Sequence, residues 1–304
     1  MAIRFFLILF FLLVCVPQSD AHSLIIDADA QYAYAESCFK EKNFEQAANE
    51  FKRFLHFFPE DARLYAAEYQ IGLSYFNIGQ FQFAEDTFRK MLNRTNDSAY
   101  VNKALFMIYE CRLKSNDFDG ASAALRVLIQ GAKDDDTRDE ARYRLAWFWI
   151  EAASWQNAKD ALNTIGPENR NKYHVAETIA EIDTAHTLPQ KDPAISGMLS
   201  ILPGAGHLYC GRFQDAAVAF LLNAALIGSA IEAFDHDLSW LGGAITLFEA
   251  GIYSGTIYSA VGSAHKFNRQ ETGKFIRGLK RHAVSGLSIA PAPGGFHLAL
   301  TLAF

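Results

Sequence analysis

The chain has 304 residues, of which 50% are hydrophobic and 13% are aromatic, and its formal net charge is −6 at pH 7. Residues 22–190 carry 26 acidic and 19 basic side chains, whereas residues 191–304 carry 7 and 8 and contain long runs almost free of charge. The repeats described below carry no basic stripe, which argues against nucleic acid as a partner, and the uncharged runs predict contact with a lipid bilayer.

The first 21 residues have the pattern of an export signal. Arg4 supplies a positive charge, an apolar run of 12 residues extends from Phe5 to Val16, and Ser19-Asp20-Ala21 offers the small residues that a signal peptidase reads. We therefore expect cleavage after Ala21. A lipoprotein site at Cys15 and an uncleaved anchor are the alternatives, and all three would carry the rest of the chain out of the cytosol.

Residues 28–165 contain four copies of one pattern, and the copies follow each other every 37 residues. The recurring positions are an aromatic residue, an alanine, a large apolar residue and, earlier in each copy, a fourth column: Phe44, Phe81, Phe118 and Trp155; Ala47, Ala84, Ala121 and Ala158; Phe51, Phe88, Leu125 and Leu162; Ala35, Gly72, Tyr109 and Ala146. Because positions i, i+3 and i+7 share one helical face, each copy is predicted to be a helical hairpin that buries its apolar face against its neighbours. Short turns are predicted at Lys42-Asn43, Gly79-Gln80, Asn116-Asp117 and Ser154.

This pattern resembles the tetratricopeptide repeat (TPR) family, most clearly in the second copy, where Gly72, Tyr75, Gly79, Ala84 and Phe88 stand at the family's offsets. The chain departs from the family at Tyr109, which replaces a small residue, and in its spacing, which is usually about 34 residues. The stretch from Phe57 to Gly79 is also similar to repeats of bacterial envelope lipoproteins of the barrel-assembly and Tol–Pal-associated kind. The resemblance covers about half of the mature chain and implies an all-α, TPR-like helical solenoid.

In the family, the first helix of each hairpin lines a concave groove that binds a peptide or another protein. The resemblance implies that the groove residues here are Tyr32, Glu36, Tyr69, Phe106, Glu110, Tyr143 and Trp147. Aromatic rings with polar tips suit such contacts, because they offer a large area at a low entropic cost. The alternative is that this column packs between hairpins. Residues 171–187 are predicted to form a capping helix, and a linker follows at 188–193.

Two apolar runs, Ala216 to Phe234 and Leu241 to Val261, are each long enough to span a bilayer. The polar segment from Asp235 to Ser239 predicts a tight loop between them, so we expect a two-helix membrane hairpin; a buried soluble hairpin is the alternative. Glu232 and Glu249 are the acidic residues within these runs. Glu232 is expected to reach the interface, and Glu249 to pair with Tyr253 or Tyr258, with a proton or ion path as the alternative for Glu249.

A glycine-rich motif precedes the first run. Its residues resemble the entry motif of a small two-helix membrane module found in many bacterial proteins: Pro203, Gly204, Gly206, Tyr209, Gly211 and Arg212. Glycines allow a tight bend at the interface, and Tyr209 and Arg212 suit the headgroup layer. Nucleotide binding is not expected, because no Gly-Lys-Ser/Thr follows the glycines.

Six basic residues follow the second run: Lys266, Arg269, Lys274, Arg277, Lys280 and Arg281. The positive-inside rule would place them in the cytosol, in conflict with the export signal. Three resolutions are open: the signal is dominant, the membrane is an outer membrane, or the basic segment lies on anionic headgroups as a surface helix. Phe296 to Phe304 alternate as in a β-strand, for which Val284 to Ala290 are a candidate partner, and this tail is expected to dock on the protein itself or on a partner sheet.

The predicted order is a signal peptide (1–21), a TPR-like repeat domain (22–188), a linker with the Pro/Gly motif (189–212), a two-helix membrane hairpin (213–265) and a basic segment with a short β-like tail (266–304). The scattered residues His174, His186, His207 and His236 and three mature cysteines, Cys38, Cys111 and Cys210, indicate no enzyme, metal or cofactor. We expect a periplasmic protein-binding scaffold anchored in the inner or, alternatively, the outer membrane. The alternative function is a transport or channel-accessory component that oligomerises through the membrane hairpin.

Overall fold

The computed structural model describes residues 27–284, 291–292 and 295–296, and the regular structure within them is helical apart from one short ladder. These residues form fourteen α-helices, one 3-10 helix and a two-residue antiparallel ladder between β1 (Pro291–Ala292) and β2 (Gly295–Phe296). The all-α prediction is therefore confirmed for the described residues. The predicted signal peptide and most of the predicted C-terminal tail lie outside them.

The described residues divide into two compact units, with the boundary between residues 121 and 122. In the first unit, each helix packs on the next one in the sequence: α1 (Ala28–Lys40), α2 (Phe44–Phe57), α3 (Leu64–Asn77), α4 (Phe81–Leu92) and α5 (Ser98–Lys114). Helix α6 (Phe118–Gly131) runs from the first unit into the second.

The second unit contains the remaining helices. These are α7 (Asp135–Glu151), α8 (Trp155–Asn163), α9 (Pro167–Arg170), α10 (Val175–Asp183) with a 3-10 turn (Thr184–Thr187), α11 (Pro193–Leu199), α12 (Ala205–Tyr209), α13 (Phe213–Asp235) and α14 (Ser239–Val284). Helix α7 packs on α8, and α11, α12 and α13 all pack on α14. The predicted linker region at 189–212 thus contains two short helices that the sequence pattern did not indicate.

The 37-residue period of the sequence reappears in the helix boundaries. The second helix of each copy begins at the recurring aromatic residue, and all four alanines of the next column are fully buried. In each copy the small alanine side chain is thus completely enclosed in a close-packed interior, where a larger side chain would need space that the packing does not leave.

The turn inside each copy repeats with the same period. A residue with positive φ stands at Lys42, Gly79, Asn116 and Ala153, with φ between 54° and 79°. The N–H of the following residue donates to a carbonyl five residues back in every case, at 2.8–2.9 Å. This is the hydrogen bond that closes a helix end over a left-handed residue, so the four copies share one turn although glycine occupies it once.

Helix α14 continues without a break past the end of the predicted membrane run. It has 46 residues and is therefore about 69 Å long. Its first half packs against α13, and near its C-terminus Phe275, Ile276 and Leu279 pack into the core around α7, α8 and α10. The sequence predicts a separate segment from residue 266, whereas the structure has one continuous helix, because these apolar residues give its basic end a surface to bind.

Candidate functional site

The predicted groove residues of the first unit are half-buried, and cationic side chains cover two of their rings. The ring of Tyr32 packs edge-on against Phe51 and Phe54, with centroids 5.5 and 5.1 Å apart, and the Arg63 guanidinium lies 4.9 Å from the Tyr32 centroid. Burial raises the pKa of the Tyr32 hydroxyl. Arg63 is itself fixed by Asp61 and Asp29, each at 2.8 Å, so this cation is held in place over the ring.

The next position of the column repeats this arrangement. Tyr69 packs against Phe88 at 5.5 Å, and the Lys103 ammonium lies 5.9 Å from the Tyr69 ring and 5.4 Å from the Tyr100 ring. The predicted groove residues Glu36, Phe106 and Glu110 are also half-buried. The first unit therefore presents partly exposed aromatic rings beneath cationic side chains, which is a surface suited to acidic or aromatic peptide groups.

The last two predicted groove residues lie in a different environment. Tyr143 is buried and stacks on Tyr173 at 4.5 Å, and Trp147 meets Tyr143 edge-on at 6.2 Å. Val175 of α10 and Leu279 of α14 belong to the same core cluster. At this end the chain covers the column with its own helices, so Tyr143 and Trp147 pack in a core, as the alternative interpretation had it.

A cleft of about 470 Å³ lies between α6, α7 and α8, within the second unit. Ile129, Leu145 and Trp149 provide apolar walls, and Arg126 and Arg142 provide positive charge. Arg142 is 2.9 Å from Asp139, a buried carboxylate that also accepts from the Gly166 N–H at 3.0 Å. None of the predicted groove residues lines this cleft, and the sequence did not indicate it.

The Pro/Gly motif brings α11, α12 and α13 into very close contact with α14. A Cβ at Gly206 would lie 2.1 Å from Ser200 Oγ, 2.2 Å from the Ser196 carbonyl oxygen and 2.8 Å from Ala260 Cβ. Gly204 has a φ of +87°, and a Cβ there would lie 2.3 Å from the Ala216 carbonyl oxygen. The motif is therefore a packing device that requires glycine, and the half-buried Pro203 stands at the turn before it.

Buried polar side chains hold this contact together. Ser196 Oγ lies 2.8 Å from the Ala260 carbonyl and 3.1 Å from the Gly206 carbonyl, and it donates to one of them. His207 Nδ1 and Arg212 Nη1 both reach Ser263 Oγ, at 3.1 and 3.0 Å. The imidazole of His207 is buried by this packing, so its role in the motif is to join α12 to α14.

The motif residues predicted for the headgroup layer lie beside the chain that leads to the repeats. Tyr209 Oη accepts from the Asp192 N–H at 3.2 Å, and the Lys191 ammonium is 4.5 Å from the Tyr209 ring. Arg212 also pairs with Asp215, and Gly211 has a φ of +75° at the turn into α13. Charged and aromatic side chains are thus gathered at one end of the helical hairpin.

The two acidic residues of the apolar runs differ in their environments. Glu232 is exposed and contacts His236 Nε2 at 3.0 Å. Both carboxylate oxygens of Glu249 are buried and have no hydrogen-bond partner among the described residues. The predicted pairing with Tyr253 or Tyr258 is wrong: Tyr253 donates to the Ile201 carbonyl at 2.6 Å, a partner supplied by the unpredicted α11–α12 segment, and Tyr258 is largely exposed.

Among the described residues, α13 is the one helix whose length and apolar composition suffice to cross a membrane. The second predicted span lies in α14, whose apolar run is interrupted by Glu249 and by small hydroxyl residues. No cluster of three or more His, Cys, Asp or Glu side chains suited to a metal ion occurs in the described part of the chain. Comparison with models of protein families and with curated proteins found no match.

Proposed function

We propose that this protein is a membrane-anchored scaffold of the bacterial envelope, in which TPR-like repeats bind other proteins or peptides. A two-helix membrane hairpin formed by α13 and the first half of α14 would hold the repeats at the membrane surface. The 37-residue period, its turns and its buried alanine column support the repeat part of this proposal. The predicted export signal supports repeats in the periplasm, with the inner membrane favoured and the outer membrane as the alternative.

The observation that carries the proposal is the course of α14. Leu241 to Val261 would span about 30 Å, the thickness of a bilayer core, and residues on this part of the helix such as Leu247 and Phe248 are 78% and 62% exposed. Further along the same helix, Phe275 meets Trp155 edge-on at 5.5 Å and Lys280 Nζ lies 2.6 Å from Glu151. One continuous helix therefore joins the apolar hairpin to the last repeat.

A second connection supports the same arrangement. Asn268 of α14 accepts from the Lys191 N–H at 2.7 Å and donates to the Lys191 carbonyl at 2.9 Å. The chain that leaves the repeats is thus attached to α14 before it enters α11. A scaffold connected in this way would hold the last repeat close to the membrane.

The second candidate function is a transport or channel-accessory component that oligomerises through the hairpin. The buried and unpartnered carboxyl group of Glu249 favours it, because such a group in a membrane helix is costly to keep. A Glu249→Gln variant separates the two candidates. The scaffold proposal expects the Glu249→Gln variant to keep the function of the protein in cells. Loss of that function in a variant that folds normally would support transport.

We expect the partner to contact the aromatic column of the first unit. The test replaces Lys103, which lies over Tyr69 and Tyr100, with a photo-crosslinking residue, and uses Lys90 of α4, which is also exposed, as the matched control. In cells, irradiation should give a crosslinked product of defined mass from position 103 and none from position 90. Equal products from both positions, or none from position 103 in a membrane-located protein, would contradict binding at this surface.

A further inference from the structure

The segment that contains α11 and α12 exposes a dense group of large apolar side chains. Their exposed fractions run from 41% to 72%, and they belong to Ile195, Met198, Leu199, Ile201, Leu202 and Leu208. The group continues onto α13, where Phe213 and Val218 are 70% and 65% exposed. A continuous apolar surface of this kind is unusual in contact with water and indicates contact with an apolar partner.

The opposite side of the segment carries polar side chains that are buried and hydrogen-bonded. Ser196 and Ser200 are buried against Gly206, and the Ser200 hydroxyl donates to the Ser196 carbonyl at 2.9 Å. Each short helix therefore has one face with a hydrogen-bonded residue towards α14, Ser196 in α11 and His207 in α12, and one face with large apolar residues directed outwards. This is the distribution expected of an element that sits between a protein core and lipid.

Several backbone groups at the turn between α11 and α12 are hydrogen-bonded within the protein. The N–H groups of Ile201, Leu202 and Ala205 donate to carbonyls three residues back, at 3.0–3.2 Å. The Ile201 carbonyl accepts from the Tyr253 hydroxyl of α14. Non-helical backbone is tolerated at membrane depth where its polar groups have protein partners, and these hydrogen bonds supply such partners for three N–H groups and for the Ile201 carbonyl of the turn.

The position of the turn along α14 gives its depth. At the charged end, His207 and Arg212 contact Ser263, whereas the apolar turn contacts Tyr253, ten residues earlier on the same helix. Ten helical residues correspond to about 15 Å, which is half of a bilayer core of about 30 Å. If the charged end lies at the interface, the turn lies near the bilayer midplane.

Polar groups mark the end where the segment leaves the bilayer. Asp192 caps α11 by accepting from the Ala194 N–H at 2.7 Å, and Lys191 lies over the Tyr209 ring. We propose that residues 193–209 form a third intramembrane element, a helical hairpin inserted into the leaflet nearest the repeats, whose apolar face contacts lipid acyl chains. This inference rests on the proposed membrane anchoring, and it predicts that the anchor occupies more area in one leaflet than in the other.

Single cysteines test the inference, and the native cysteines Cys38, Cys111 and Cys210 can stay in place because all three are buried. The variants are Leu202→Cys at the turn, Leu221→Cys on α13 and Gln190→Cys before the polar boundary, all at exposed positions. In membrane fragments open on both sides, a membrane-impermeant maleimide should label position 190 only. After detergent solubilisation it should label all three.

The outcomes separate the inference from the proposal on which it rests. Labelling of position 202 in membranes, with position 221 protected, would overturn the third element and leave the anchor intact. Labelling of both positions in membranes would contradict the anchor itself. A position 202 that stays unlabelled in detergent would mean that protein covers the turn, which also overturns the inference.

Contact with lipid can be measured directly. A fluorophore on the cysteine at position 202 should be quenched more strongly by lipids with a nitroxide near the end of the acyl chain than by lipids with a nitroxide near the headgroup. The same fluorophore at position 190 should show the opposite order. Absence of lipid quenching at position 202, with quenching present at position 221, would overturn the proposed contact.

Discussion

Gly206→Ala is expected to open the packing of α11 and α12 on α14, at a cost of about 3 kcal/mol. Its methyl group would lie 2.2 Å from the Ser196 carbonyl oxygen, which belongs to the backbone of α11 and cannot rotate away, and 2.8 Å from Ala260 Cβ. The Ser200 hydroxyl at 2.1 Å could turn, but it would then lose its bond to the Ser196 carbonyl. Relief of this clash requires α12 to move as a whole.

Cys210 reports this opening locally. Its thiol is buried and lies 3.5 Å from Ser196 Oγ, so separation of α11 from α12 exposes it to a thiol reagent. Since 1.4 kcal/mol corresponds to a factor of ten, the labelling rate of Cys210 should rise by about a hundredfold. Cys111 is the internal reference, because it is buried in the repeats and burial raises the pKa of its thiol to about 12.

Gly255→Ala in α14 is the matched control. A Cβ at Gly255 meets no atom within 4 Å, so this variant should label at the rate of the unmodified protein or more slowly. Equal Cys210 labelling in the Gly206 and Gly255 variants would contradict the assigned packing of the motif.

The second large effect is expected where Gly72 faces Phe88 in the second copy of the repeat. A Cβ at Gly72 would lie 2.5 Å from two atoms of the Phe88 ring, and that ring is fully buried. Gly72→Ala should therefore lower the free energy of unfolding by about 1–3 kcal/mol. Phe88→Leu leaves a cavity and should also destabilise, by less than the roughly 3–5 kcal/mol typical of truncating phenylalanine to alanine.

The two changes should be strongly non-additive. The chain's fourth copy already carries the combined arrangement, with Ala146 and Leu162 at the equivalent positions, both fully buried. The double variant should thus recover about 1 kcal/mol or more relative to the sum of the single effects, because the smaller leucine side chain at position 88 leaves room for the new methyl group. Urea unfolding of the full chain in detergent measures this cycle. Strict additivity would contradict a direct contact between the two positions.

The repeats could be predicted from the sequence because their pattern is periodic. Each column recurs every 37 residues, so the alanines of one column occupy equivalent positions, and all four are buried. The positions of the turns were also predictable, although lysine and alanine do not predict the positive φ that Lys42 and Ala153 adopt. There, closure of the helix end outweighs the local preference of the residue.

The region between the repeats and α13 could not be predicted because it has no period. Helices α11 and α12 have seven and five residues, too few for an amphipathic pattern, and their contacts with α14 join residues more than fifty positions apart. The unpredicted turn at Ile201 also engages Tyr253, which is why Glu249 lacks the partner assigned to it. Contacts between residues so far apart in the chain produce no recognisable pattern in a short stretch of sequence.

The candidate site also contains some residues that the period predicts and others that depend on tertiary contacts. Tyr32 and Tyr69 could be placed from the period, whereas the burial of Tyr143 depends on α10 and on the far end of α14. The cleft with Arg126, Arg142 and Trp149 is formed by three helices, and Arg142 has no basic equivalent in the other copies, where Gln31, Glu68 and Leu105 stand. Periodicity therefore identifies a column, and only the tertiary structure tells which of its members stay accessible.

The most direct test of the account is the side of the membrane on which the repeats lie. Asn96 is suited to it, because it is exposed in the loop between α4 and α5, whereas its neighbour Asp97 caps α5 and must be kept. An Asn96→Cys variant would be treated with an impermeant maleimide in intact cells, in spheroplasts and after lysis. The account predicts labelling in spheroplasts, before lysis, which would place the repeats in the periplasm. Labelling only after lysis would place them in the cytosol and contradict the exported scaffold.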